Sequence, residues 1–501
     1  MSVLVETKYG NLSGIQNEKH QSFLGIPYAA PPVRSLRFCA PQAPESWEGV
    51  REATQFSASC LQQESTVQGM TADGPLSEDC LYLNVFTPQA DGSKRPVMFW
   101  IHGGGYVYGS SNSATYNGGA LAERGDVVVV SINYRLGLFG YLYLGAHGGK
   151  EWGASANCGQ LDQIAALRWV QENIAHFGGD PSNVTIFGES AGAGAVITLM
   201  AMPEARGLFQ RAISQSGSVN AIQQPEGAAQ VTEEFLAQLG VDPVDTKKLQ
   251  ELPAEVLLEA QPGLPVGSSG PTGGGLRLTP VVDGDTLPRH PSDLFKNGEM
   301  TEIPFLIGSN RDEIKLFKDP TKVKPITDEN LEKIVGTFKG MFADSSSKEV
   351  IDTYKQSRTA RGLPSDNVNI MDAIISDQMF KLPSLRIAEA HGQAYVYLFT
   401  YESPALKGAL GACHALEMAF VFGTLHTQFE PRFTGTGPDA EKLSEQMMDA
   451  WLAFARNGNP NHSGLDTWPV YDGKKRATMI FDKESACCEA PFEEERALWI
   501  P

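Results

Sequence analysis

The stretch VTIFGESAGAGAVITLM, residues 184–200, decides the fold. Its first half is rich in β-branched and aromatic residues and reads as a buried strand. Its second half reads as a helix that begins with small residues. Only Glu189, Ser190 and Ala191 lie at the joint. A strand-to-helix turn this tight strains the backbone of its central residue and crowds the neighbours. Gly188 and Gly192 remove the side chains that would clash, and Ala191 and Ala193 keep the first helical turn narrow. Ser190 is then held clear of the sheet, facing the N–H groups of the helix start, which favour negative charge. This is the strand, G-x-S-x-G, helix arrangement of a nucleophile elbow. The five-residue pattern alone is weak in a chain with 51 glycines, so its surroundings matter.

Upstream, FWIHGGGYVYGS (99–110) sets three glycines, Gly103, Gly104 and Gly105, directly after an apolar run. Bare backbone there can approach a ligand oxygen and aim N–H groups at an oxyanion. The third glycine of a dinucleotide fingerprint is missing, and no phosphate-binding G-x-x-x-x-G-K-[ST] occurs. Further apolar runs read as central strands: VLVET near the start, VMFWIH from Val97, DVVVVSINY from Asp126, RAISQSG from Arg211, PFLIGSN from Pro304 and AYVYLFTY from Ala394. Helical patterns fall between them. In QLDQIAALRWVQENIAHF, Leu161, Ile164, Ala165, Leu167 and Trp169 form a buried stripe, and Gly178-Gly179 ends the helix. The alternation predicts an α/β fold, a mostly parallel central sheet with helices on both faces. Residues 223–304 break the pattern. They hold short helical pieces and the run QPGLPVGSSGPTGGGLRLTP, which reads equally as a surface loop or as a cover over a pocket.

The chain has 501 residues, long for one core. Forty basic against 59 acidic residues give a net charge of −19, which argues against nucleic acid or an anionic membrane as partner. Seven cysteines without a C-x-x-C pair carry no zinc spacing. The opening MSVLVETKYGNLSG alternates like a strand and turns at Gly10; it has no leader-like charged and apolar regions. No apolar run is long enough to span a bilayer. The expectation is a cytoplasmic protein with reduced thiols, and the sequon at Asn11 then carries no meaning.

FGGDPSNVTIFGESAG (177–192) and SEDCLYLNVFTP (77–88) resemble the two signatures of the type-B carboxylesterase family, the α/β-hydrolase branch that also holds the cholinesterases. FLGIPYAAPP, HGGGY, NYRLGLFGY, ISQSGS, PVVDG and HALEMAFVFG resemble further blocks of that family, in order along the whole chain. The resemblance implies a single catalytic domain over residues 1–501 with large insertions. In this fold the nucleophile is followed by an acid and then a histidine. PFLIGSNRDEIKLF supplies Asp312 and Glu313 after a strand end, and similarity to the family's RDEG block selects Glu313. Ile314 stands where the family usually has glycine. Of the histidines beyond Glu313, His414 follows strand AYVYLFTY and precedes a helical stretch, as the base should. His426 lies past Gly423 with no strand before it, His391 sits at the wrong end of the strand, and His462 comes later still.

The resemblance thus implies a serine carboxylesterase: Ser190 as nucleophile, His414 as base, Glu313 as its orienting acid, and Gly104, Gly105 and Ala191 as oxyanion donors. No metal or organic cofactor is required. Activity is expected to fall as pH drops through a working value of about 6–7. Glu189 and Ser216 resemble the family's buried polar pair near the triad. Arg37 with Glu78 and Arg135 with Asp162 resemble its structural ion pairs. Cys60 and Cys80 match positions that are disulfide-bonded in secreted relatives and are expected here as close, reduced thiols. The loop between them contains no tryptophan, which argues against a choline ester. Tyr106, Phe317, Phe420 and Phe422 are candidates to line a pocket for a small-molecule ester of broad range. An amidase or urethanase would use the same triad. A catalytically silent binding protein of this fold would have lost a triad member, and a lipase would want an apolar lid.

Overall fold

A computed structural model describes residues 2–65, 72, 74–261, 277–338, 340–341, 345–427 and 430–500. The strands that build its large sheet are β1 (Ser2–Thr7), β2 (Gly10–Gln16), β3 (Gln21–Pro27), β4 (Tyr82–Thr87), β5 (Arg95–Ile101), β6 (Val128–Ile132), β7 (Gly179–Glu189), β8 (Arg211–Gln215), β9 (Phe305–Asn310), β10 (Ala394–Phe399), β11 (Ala477–Phe481) and β12 (Ala486–Glu489). They lie in the order β1-β2-β3-β4-β6-β5-β7-β8-β9-β10-β11-β12, with Val50–Glu52 paired beside β2. From β6 to β11 every neighbour is parallel. The first strands and the last pair antiparallel at the two edges. The crossovers carry helices, among them α1 (Cys158–Asn173), α2 (Ala191–Ala201), α3 (Asn367–Ser376), α4 (Leu382–His391), α5 (Met418–Phe422) and α6 (Pro438–Asn457).

Every apolar run expected as a strand is one. VLVET is the exception in place: it forms the edge hairpin β1–β2, not a central strand. Its burial pattern explains this, since Ser2, Leu4 and Glu6 are exposed while Val5 and Thr7 are buried. A strand wet on one face cannot sit between two helical layers. β6 and β9, by contrast, are buried throughout. The helix expected before Gly178 is α1 followed by a tighter turn, Ile174–Phe177, and Gly178 ends it at φ 83°. Apolar side chains fill both sides of the sheet. One core holds Val97, Ile101, Ile186 and Ala195; the other holds Trp100, Phe187, Phe422 and Trp451.

Two ion pairs, one fully buried and one partly so, pin loops to this frame. Arg135 Nε and one terminal nitrogen grip both oxygens of Asp162, at 2.8 and 2.6 Å, and its remaining nitrogen donates to Cys39 O. Arg37 holds Glu78 with two bonds of 2.6 and 2.7 Å and also donates to Leu249 O and Leu252 O. Cys60 and Cys80 are free thiols, both buried. A hydrogen bond to Cys60, with burial, pushes the Cys80 thiol well up. Residues 262–276, which hold most of the Gly/Pro/Ser run read as a pocket cover, lie outside the described residues. No helix among the described residues is long and apolar enough to cross a membrane.

Asp162→Asn leaves the fully buried Arg135 guanidinium facing no opposite charge. Removing one partner of such a pair costs about 3–5 kcal/mol. Urea denaturation is expected to show a loss of that size, and a change below about 1 kcal/mol would contradict the role given to the pair.

Candidate active site

Strand β7 runs into α2 through Ser190 alone, at φ 57° and ψ −122°. A side chain on Gly192 would stand 2.1 Å from Ile101 O, and one on Gly188 would stand 2.6 Å from the Gly192 backbone. Contacts under 3 Å are excluded by hard-core repulsion, so both positions must be glycine for the elbow to close. Ser190 N donates to Gln215 O at 2.8 Å, and Gly194 N donates to Ser190 O at 2.9 Å. The positive φ is thereby fixed from both sides. Such a conformation costs a non-glycine residue about 1–3 kcal/mol and persists only where its surroundings impose it.

The glycine loop after β5 lies against this elbow. A Cβ on Gly103 would meet Ser190 Cβ at 3.0 Å and Glu189 O at 2.8 Å. Gly104 and Gly105 both adopt positive φ, 104° and 62°. Among the described residues, the N–H groups of Gly104, Gly105 and Ala191 donate to no protein acceptor.

Glu313 opens a short 3-10 turn just past β9 and is fully buried. Each of its oxygens is assigned. Oε1 accepts from Ser216 Oγ at 2.6 Å and from Asn310 N at 2.7 Å, and Oε2 lies 2.5 Å from His414 Nδ1. The contact on Nδ1 fixes the imidazole's orientation and directs its other nitrogen elsewhere. His414 Nε2 is buried, makes no hydrogen bond among the described residues, and lies 3.0 Å from Glu189 Oε1. That atom of Glu189 makes no hydrogen bond among the described residues either, so the two face each other as an ion pair. Burial works against charge on the imidazole, but the Glu189 and Glu313 carboxylates outweigh it and raise His414 to about 9. Burial also pushes Glu189 up, to about 8, against the pull of His414.

Asp312, the neighbour of Glu313, has a structural task. It binds Arg311 Nε at 2.8 Å and the Ala412 N–H at 3.1 Å, and Arg358 lies 3.4 Å away. Burial would raise its carboxyl, but Arg311, Lys315 and Arg358 hold it down at about 2. This ties the loop before His414 to the turn that carries Glu313. Ile314 is not among the positive-φ residues, so nothing at that position requires the family's glycine, and its N–H donates to Ser376 Oγ.

The rival histidines lie elsewhere. His426 is largely exposed, 3.9 Å from Glu441. His391 bonds Ile303 O, and His462 bonds Gln446 O. Of the four aromatics proposed for a pocket, Phe317 meets the site, its ring 5.1 Å from that of His414. Phe420 and Phe422 are core residues, packed on Phe399 and Trp100, and Tyr106 is buried against Tyr141. Three residues escaped the sequence reading. Asn310 Nδ2 donates to Cys413 O and to Glu417, whose other oxygen meets Gln215 Nε2 at 3.3 Å. Glu417 could have been noticed as the one charge inside an apolar block. Phe380, with its ring 4.8 Å from His414, gave no sequence signal.

Residues 1–499 match the carboxylesterase family. The chain belongs to that family. It is 37% identical to the Bacillus subtilis para-nitrobenzyl esterase, over 99% of this chain and 98% of the relative. A phenmedipham hydrolase of Pseudarthrobacter oxydans is 33% identical, over 96% of each chain. A crystal structure of a Geobacillus stearothermophilus carboxylesterase is 43% identical, covers 99% of each chain and superposes with a TM-score of 0.87. The family member described here is a carboxylic ester hydrolase with the α/β-hydrolase fold.

The shift on Asp312 has a consequence for acid stability. Its contribution, about 2 kcal/mol, is complete above the unfolded-state value of about 3.9 and is lost as pH falls toward 2. Asp312→Asn is expected to lose stability at pH 7 and to flatten the stability curve between pH 4 and 2. Equal slopes for both proteins in that window would contradict the assignment.

Proposed function

We propose that Ser190, His414 and Glu313 form the catalytic triad of this esterase and that it hydrolyses small carboxylic esters of broad range through an acyl-enzyme. One observation carries the reading. Glu313 holds His414 by Nδ1 at 2.5 Å, which turns the buried Nε2 toward the elbow, 3.0 Å from Oε1 of Glu189, the residue that precedes Ser190.

The chemistry follows from these positions. Ser190 Oγ attacks the ester carbonyl carbon as its proton passes to His414 Nε2. The Ser190–His414 hydrogen bond forms with substrate in place, since such bonds tighten on binding. Charge develops on the carbonyl oxygen, and the free N–H groups of Gly104, Gly105 and Ala191 receive it. One such donor contributes about 3–4 kcal/mol to the transition state. The tetrahedral intermediate expels the alcohol, which takes the proton back from His414. Water, deprotonated by the same imidazole, then cleaves the acyl-enzyme and restores Ser190. Glu313 holds the imidazole in orientation and stabilises the imidazolium. The whole chain serves as one catalytic domain that carries an insertion around 223–304.

The breadth of substrate is supported by the relatives' names, a para-nitrobenzyl esterase and a phenmedipham hydrolase. A panel of p-nitrophenyl esters from acetate to palmitate, with one anilide and one carbamate, tests it. Ser190→Ala is expected to reduce kcat on every ester by about 10⁴-fold or more. A variant retaining a tenth of the activity would refute the nucleophile.

The carboxylates around His414 move its expected pH limb upward from the 6–7 range anticipated from sequence. The imidazole is the base only when neutral, so kcat/KM rises as pH climbs through its raised value. Glu189→Gln removes one of the charges that raise it, and the limb is expected to move to lower pH. The pH profile of kcat/KM on p-nitrophenyl butyrate reads this directly; identical limbs in the two proteins would show that Glu189 does not set the titration.

A further inference from the structure

Between α3 and α4 the helix widens into one π-helical turn, Asp377–Lys381. Pro383 favours it. Its ring would clash with the carbonyl four residues back in a regular helix, and it has no N–H to give. A π-turn relieves both problems, and such turns recur at functional sites. Phe380 stands in this turn. It is buried, and its ring lies 4.8 Å from that of His414, tilted 43°.

The same turn carries two buried charges that the ester chemistry does not use. Lys381 Nζ bonds Asp377 Oδ1 at 2.7 Å and lies 3.5 Å from Glu495 Oε2 and 5.0 Å from the centre of the Phe492 ring. Asp377 Oδ2 accepts from Tyr354 OH at 2.6 Å. Tyr354 OH in turn accepts from Trp499 Nε1 at 3.0 Å. Ser357 Oγ donates to Glu495 Oε1 at 2.5 Å. Phe492, Glu495 and Trp499 belong to one short segment some 110 residues further along the chain. Buried charges are tolerated only when paired and saturated with hydrogen bonds, so this cluster admits essentially one geometry.

We propose that segment 492–499 is a specificity-determining latch: through Tyr354, Asp377 and Lys381 it fixes the π-turn, and the π-turn sets Phe380 as a wall of the acyl- or alcohol-binding space beside His414. The proposal rests on His414 being the base. Phe380 is the residue that meets substrate; Tyr354 and Trp499 are positioning residues that act through it. The sequence of effects is steric. If the turn loosens, Phe380 withdraws, the space beside the imidazole widens, and larger esters gain on smaller ones.

The test uses the full chain and five variants: Phe380→Leu, Phe380→Tyr, Tyr354→Phe, Trp499→Phe and Ser190→Ala. Tyr354→Phe keeps the ring and removes only the hydroxyl that joins Asp377 to Trp499. For each, kcat and KM are measured on p-nitrophenyl acetate, butyrate and octanoate, active sites are counted with diethyl p-nitrophenyl phosphate, and unfolding is followed in urea. Phe380→Leu is expected to raise the octanoate-to-acetate ratio of kcat/KM by about tenfold, the scale at which an apolar wall discriminates chain length. Tyr354→Phe and Trp499→Phe are expected to shift that ratio in the same direction by about threefold or more, with full active-site counts. Phe380→Tyr, which keeps the wall, is expected to restore the parent ratio. A merely structural role would lower stability or the active-site count and leave the ratio unchanged in the two latch variants; that result overturns the proposal. An unchanged ratio in Phe380→Leu overturns it as well. Activity surviving in Ser190→Ala would instead overturn the underlying triad, a separate outcome.

Discussion

Ser190 can occupy its left-handed conformation only because hydrogen is the largest substituent that fits at residues 188 and 192. Ile101 O would stand 2.1 Å from a Cβ at Gly192, and Gly192 itself blocks a Cβ at Gly188. The close approach of β5, β7 and the start of α2 is the constraint on which the site depends. It places the glycine loop 103–105 against the elbow, and it lets the helix begin at the residue after the serine. Without it, the hydroxyl would lie within the sheet and the backbone N–H groups would face other atoms.

The parallel sheet converts that local crowding into a site assembled from distant chain segments. Ser190 follows β7, Ser216 follows β8, Glu313 follows β9 and His414 follows β10. Because these four strands are consecutive and parallel, their chain exits share one edge. Ligand sites of open α/β sheets form at that edge. Ser216 bonds Glu313, Glu313 bonds His414, and Asp312 fastens the loop before His414 to the turn after β9. The charges balance in the same way: three cationic side chains surround Asp312, and three carboxylates, Glu189, Glu313 and Glu417, surround the imidazole.

Much of this was legible in the sequence because the constraints are local. Glycines flanking a serine and a glycine run after an apolar strand each encode a turn that few other residues permit, whereas at RDE the residues left Asp312 and Glu313 both open and the family resemblance selected Glu313. The edge position of β1 was not legible, since VLVET has the same β-branched content as a central strand and differs only in what covers it. The aromatics beside His414 were equally hidden. Phe317, Phe420 and Phe422 look alike in sequence, yet one faces His414 and two fill the core. Phe380 reaches the site through a helix irregularity just before Pro383, and no periodicity rule exposes that. The raised titration of His414 depends on Glu189 and Glu313 converging from two different strand ends, a relation that spacing cannot encode.

The account rests on the elbow serine being the atom that attacks. Rapid-quench mass spectrometry of the wild-type protein during turnover of a slowly deacylated p-nitrophenyl ester tests this most directly. A single acyl adduct is expected on the peptide containing Ser190, accumulating in step with the first burst of p-nitrophenol. Turnover with no adduct, or an adduct on any other residue, would contradict it.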